Sequence, residues 1–180
     1  MGRMFRLLKE CEIECKVKQV KQNGLVLLLY KTARTDMDLL DETVGPYRWE
    51  CEYKEIKGNL FCGIGILKAP EKDDDWDRYI WKWDCGIESR SDGEGNEKKG
   101  EASDSFKRAG FKWGIGRELY TAPFIWIPSD KANITEKNGK FYCNDKFSVE
   151  KIAYNEDGDI SGLAIRNDKT GKRCFVWQRT

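Results

Sequence analysis

Tyr47-Arg48-Trp49-Glu50-Cys51-Glu52-Tyr53-Lys54-Glu55-Ile56-Lys57-Gly58-Asn59-Leu60-Phe61-Cys62-Gly63-Ile64-Gly65-Ile66-Leu67 decides the fold class. Tyr47, Trp49, Cys51 and Tyr53 alternate with Arg48, Glu50, Glu52 and Lys54. A period of two places one set of side chains on each face of a strand. Gly58-Asn59 turns the chain, and Leu60 to Leu67 returns as the second arm of a hairpin. Beyond it, Ala69-Pro70-Glu71-Lys72-Asp73-Asp74-Asp75 reads as a polar tip. Tyr79, Trp81 and Trp83 then share one face of a third strand, with Ile80, Lys82 and Asp84 on the other. A Gly-rich charged loop from Ser89 to Gly100 leads into a helix over Glu101 to Trp113, whose apolar stripe is Ala102, Phe106, Ala109 and Trp113.

The flanks extend this pattern. Cys11, Ile13, Cys15 and Val17 alternate with Glu12, Glu14, Lys16 and Lys18, and Asn23-Gly24 signals a turn before the apolar run Leu25 to Tyr30. Thr35 is placed to cap a helix with Asp36 and Asp38 in its first turn, where the helix dipole favours negative charge. Met37, Leu40 and Val44 share one face of it, and Gly45-Pro46 ends it. Phe124 to Ile127 is a short strand closed by Pro128. From Phe147, two or three strands follow with turns at Asp157-Gly158 and Thr170-Gly171. The order is strand-strand-helix-three strands-helix and then a β tail, an α+β chain. We expect one domain over 1–130 and a β-rich extension of it over 131–180.

Composition narrows the chemistry. The chain has 180 residues, enough to bury a sizeable core. Its 32 basic and 31 acidic residues leave a net charge of +1, so a polyanion partner requires positive charge gathered locally. The absence of histidine excludes Ser-His and Cys-His catalysis and histidine metal sites. Seven scattered cysteines (Cys11, Cys15, Cys51, Cys62, Cys85, Cys143, Cys174) contain no Cys-x-x-Cys pair and read as reduced residues. Met1-Gly2-Arg3-Met4-Phe5-Arg6 lacks the apolar core of a signal peptide, and the longest apolar run falls far short of a membrane span. A cytoplasmic protein without a membrane partner is expected, in the bacterial host cytoplasm if phage-encoded.

The second helix carries the functional signal. From Ser105 to Arg117 lie Lys107, Arg108, Lys112 and Arg117 and no acidic residue. At about 100° per residue Arg108 and Lys112 fall on one side. Such a run can hold a phosphate backbone, although on pattern alone it is more often a solvated helix face.

Lys98-Lys99-Gly100-Glu101-Ala102-Ser103-Asp104-Ser105-Phe106-Lys107-Arg108-Ala109-Gly110-Phe111-Lys112-Trp113-Gly114 resembles the signature helix of the Rad-fifty-two superfamily. Arg34 with Asp38-Leu39-Leu40-Asp41-Glu42-Thr43-Val44-Gly45-Pro46-Tyr47-Arg48-Trp49 resembles that family's first helix and its Gly-x-x-x-Trp exit. Asp84-Cys85-Gly86 is similar to the Asp-Val-Gly that closes its third strand, and Phe111 to Tyr120 looks like the phage and prophage members. The resemblance runs from about Leu25 to Ile127. It implies a β-β-β-α core, an antiparallel sheet packed on a helix, assembled into a homo-oligomeric ring or helical arc.

Its implied function is ATP-independent binding of single-stranded DNA and annealing of complementary strands in recombination and double-strand break repair, without enzymatic chemistry or cofactor. Lys107 and Arg108 are the implied phosphate contacts. Arg34 stands one residue out of register with the family's arginine, and Lys112 takes the place of a basic position occupied here by Phe111. Lys98, Lys99 and Arg117 are further candidates, and an exonuclease or a single-strand binding protein is an allowed partner.

Two other functions compete. A metal-dependent nuclease would need an acidic residue beside a Glu/Asp-x-Lys triplet, for which Glu52-Tyr53-Lys54 or Glu150 with Lys151 are fragments. A coating protein would protect single strands without pairing them. Asp73-Asp74-Asp75-Trp76-Asp77 lacks the glycine of a calcium loop, since Arg78 occupies the sixth position. Tyr79, Trp81 and Trp83 could stack on bases, but core or interface packing is the commoner use of such aromatics.

Overall fold

The computed structural model describes residues 2–68, 78–86 and 97–180, with side chains from residue 100 onward in the last stretch. The elements run β1 (Glu14–Lys21), β2 (Gly24–Tyr30), α1 (Ala33–Val44), β3 (Trp49–Ile56), β4 (Asn59–Leu67), β5 (Tyr79–Cys85) and α2 (Glu97–Trp113). There follow β6 (Ile125–Pro128), β7 (Ile134–Lys137), β8 (Lys140–Cys143), β9 (Phe147–Tyr154), β10 (Ile160–Asn167) and β11 (Lys172–Gln178). The strands pair antiparallel throughout, so the α+β class holds. Among the described residues no helix is long and apolar enough to cross a membrane.

The chain divides into two compact units, 1–6 with 33–116, and 7–32 with 117–180. This differs from the expected break at residue 130. Alternation shows that β1 and β2 are strands but not which strands they join. They pair with each other, β1 also with β9, and β2 with β6, so the N-terminal hairpin belongs with the C-terminal strands.

In the first unit β3, β4 and β5 form a three-stranded meander, and α2 packs on β4 and β5. The β3–β4 turn is Lys57-Gly58, both at positive φ, rather than Gly58-Asn59. Cys62, Ile64 and Ile66 of β4 meet Phe106 and Ala109 of α2 in a core completed by Leu39 and Leu40. Helix α1 differs from its expected amphipathic face: Thr35, Asp36, Leu39 and Leu40 are buried, while Met37 is exposed. Arg6 ties the N-terminal residues to α1 through a two-pronged ion pair with Glu42, both its oxygens at 2.9–3.0 Å.

On the other face of the meander Tyr79, Trp81 and Trp83 form a row, with ring centroids 6.0 and 5.7 Å apart. Two glycines of the central strand make room for it. A Cβ on Gly63 would stand 2.5 Å from the Trp83 ring, and one on Gly65 2.7 Å from Trp81. The indoles therefore lie flat across β4, and the Lys54 ammonium sits 4.2 Å from the Trp83 centroid.

The second unit is a six-stranded sheet, β11-β10-β9-β1-β2-β6, curled until its edge strands β6 and β11 touch. Its core holds Leu25, Leu27, Ile125, Ile127, Ile160 and Ile165. Gly24 lies inside β2 rather than in the expected turn, beneath the Trp126 ring. The buried Glu118 carboxylate accepts the Leu8 N–H at 2.8 Å, and the Tyr154 hydroxyl donates to the Leu8 carbonyl at 2.8 Å. The hairpin β7–β8 turns on Asn138-Gly139, both at positive φ, a strong two-residue turn signal.

Gly63→Ala forces the Trp83 indole off the sheet. It should destabilise the chain by about 1–3 kcal/mol, read from urea unfolding, and shift the tryptophan emission of the folded state.

Candidate nucleic-acid interface

Three stretches far apart in sequence meet in the first unit. The first is the exit of α1: the Trp49 indole N–H donates to the Asp41 carboxylate at 2.7 Å, and the ring meets Phe106 of α2 edge-on at 6.1 Å. The second is the end of β5. Gly86 donates its N–H to the Leu60 carbonyl, and a Cβ there would collide with the carbonyl of Glu101 in α2. The third is α2 itself. The buried Glu101 carboxylate accepts the Leu60 N–H at 2.9 Å, and the Trp113 indole N–H donates to the Ile64 carbonyl at 2.9 Å. At Gly110 a Cβ would stand 2.6 Å from the buried Asp36 carboxylate of α1. These close approaches explain why the glycines stand there: backbone meets backbone or a carboxylate with no space for a side chain.

This packing fixes the cations. Arg108 and Lys112, one helical turn apart on α2, both reach Asp84 of β5. Arg108 Nε is 3.7 Å from one carboxylate oxygen and Lys112 Nζ 3.5 Å from the other. Lys112 also donates to the Trp83 carbonyl. Lys82, on the same strand face as Asp84, donates to the Lys112 carbonyl at 3.1 Å and lies 4.1 Å from the Trp113 ring centroid. Lys82, Arg108, Lys112 and Asp84 thus place three positive charges around one negative charge. The Arg108 and Lys112 side chains keep 44% and 48% of their surface in solvent, so Asp84 pairs with both without enclosing them.

The predicted residues separate accordingly. Arg108 and Lys112 come together as their spacing requires, and Lys107, about 100° round α2 from Arg108, is half-buried. Arg34 is exposed on the first turn of α1 in the same unit. Lys98 and Lys99 fall in the first turn of α2, but their side chains lie outside the described residues. Arg117 belongs to the second unit, in a turn of 3-10 helix over Arg117–Thr121. The hairpin tip with Asp73 to Asp77, and the loop through residue 96, also lie outside the described residues. Sequence reasoning missed Lys82 and Asp84 as parts of the cluster. Their shared strand face was legible; their position under α2 was not.

The nuclease fragments have other partners. Glu150 receives Arg173 through two hydrogen bonds of 2.7 Å, which hold its carboxyl below the ordinary value. Glu52 pairs with Lys54 at 2.9 Å on the exposed strand β3. No protein-family model matches the chain, and no curated protein or solved structure matches it.

Trp49→Phe keeps the ring against Phe106 and removes the N–H that Asp41 accepts. The expected loss is about 1 kcal/mol in denaturant unfolding. A loss under about 0.3 kcal/mol would mean that water replaces the bond at no cost.

Proposed function

We propose that this chain binds single-stranded DNA and anneals complementary strands, as a homo-oligomer of the Rad-fifty-two type that needs no nucleotide. The observation that carries this reading is the convergence of the three resembling stretches. Asp41 and Trp49 from the first, Asp84 and Gly86 from the second, and Glu101, Arg108 and Gly110 from the third lie in one compact unit, α1 and the β-β-β-α run that follows it. Their shared place in one compact unit is what the resemblance implies.

The charge geometry suits the task. Strand annealing requires that phosphates be neutralised so that two polyanions can approach, while the base edges stay free. Lys107, Arg108 and Lys112 supply cations on one helix, with Lys82 beside them, and repetition of the unit in an oligomer would extend the row. Asp84 weakens the local field, and loose binding helps a protein that must release the duplex it forms. A coating protein would use the same cations, so annealing itself is the distinguishing activity.

Lys107→Ala and Arg108→Ala should each weaken binding to any single-stranded sequence about equally. Each should also flatten the plot of log affinity against log salt by about 0.7. Asp84→Asn removes the screening charge, so it should tighten binding and slow duplex release. The measurements are fluorescence anisotropy across a salt series and ATP-free annealing of complementary oligonucleotides. Parental DNA binding by both cation variants would refute the assigned surface. Protection of the oligonucleotides without pairing would leave the coating function in place of annealing.

A further inference from the structure

Two thiols meet on the α2 side of the meander. Cys51 of β3 stands opposite Ile64 and Cys62 of β4 opposite Tyr53, so the two cysteines are diagonal neighbours on one face. Their sulfurs are 3.6 Å apart, in van der Waals contact. A disulfide needs about 2.0 Å, a closure of roughly 1.5 Å that takes side-chain rotation together with a small shift of the two paired strands.

The two differ in the way a redox pair requires. Cys51 is exposed, whereas Cys62 is fully buried. The hydrogen bond they share lowers the Cys51 thiol from its ordinary value against the opposing effect of burial, and it raises Cys62. Cys51 is therefore the accessible nucleophile, because the thiolate is the reactive form. Cys62 waits beside it as a protonated second thiol. Elsewhere burial pushes Cys15 up to about 12 and Cys174 up to about 11, away from the reactive thiolate.

We propose that Cys51 and Cys62 form a reversible redox pair, oxidised by hydrogen peroxide to a disulfide joining β3 to β4. The Cys51 sulfur attacks one peroxide oxygen and the O–O bond breaks. The departing hydroxide takes a proton to become water, and Cys51 is left as sulfenic acid. The Cys62 sulfur then attacks the Cys51 sulfur, the S–O bond breaks, and hydroxide leaves with the Cys62 proton as a second water. Two thiols lose two electrons and two protons, and one peroxide becomes two waters. A small dithiol reverses the change by exchange.

This pair stands independently of the DNA reading, and peptide mapping of the full chain tests it. After peroxide, alkylation of remaining thiols and trypsin, cleavage at Arg48, Lys54, Lys57 and Lys68 separates Cys51 in 49–54 from Cys62 in 58–68. The expected product joins these two peptides, exceeds any other cysteine pair by about tenfold, and disappears with dithiothreitol. Cys62→Ser should stop the reaction at a Cys51 sulfenic acid that dimedone traps. Should that core variant not fold, Cys51→Ser at the exposed position must still leave Cys62 unoxidised. Equal consumption of all seven thiols, a dominant pair involving Cys11, or Cys51 linked between two chains would each overturn the proposal.

Discussion

Helix α2 lies so close to the meander that Gly86 faces its backbone directly, the Glu101 carbonyl occupying the place of a side chain. Nearby, the Glu101 carboxylate is buried and receives the Leu60 N–H. A buried carboxylate without a donor would be costly, so this bond and the close approach depend on each other. Gly110 repeats the arrangement on the other side of the helix, against the Asp36 carboxylate of α1. The first unit therefore has its helices set by backbone contacts that no larger residue could make. Phe106, Ala109 and Ile64 fill what remains.

That approach decides where charge stands. With Glu101 and Ala109 turned to the sheet, Arg108 and Lys112 emerge at the edge of β5, where Asp84 meets them. A chain with a net charge of +1 has no overall field to attract a polyanion. Any attraction must come from cations gathered locally, as Lys82, Arg108 and Lys112 are around Asp84. In the proposed annealing function, Asp84 also aligns both cations while reducing their pull.

The sheet serves different chemistry on its two faces. Toward α2 it brings Cys51 and Cys62 together, one reachable by solvent and one not. Away from α2 it carries Tyr79, Trp81 and Trp83 flat across glycines, a packing feature of the sheet. The cysteines read as inert core residues when each is taken alone. Their acid–base inequality arises only because strand pairing makes them diagonal neighbours.

Alternation in 47–54 and 79–84, the apolar run 25–30 and the helical stripe 102–113 determine the elements, because side-chain direction follows directly from backbone geometry. The same helical spacing puts Arg108 and Lys112 on one side. Long-range pairing has no such local signature. That β1 and β2 join β9 and β6, that Asp36 is buried and Met37 exposed on α1, and that Asp84 sits beneath two cations were all decided by tertiary structure. Each depends on which surfaces meet, and many pairings satisfy the same local pattern until packing and buried hydrogen bonds select one.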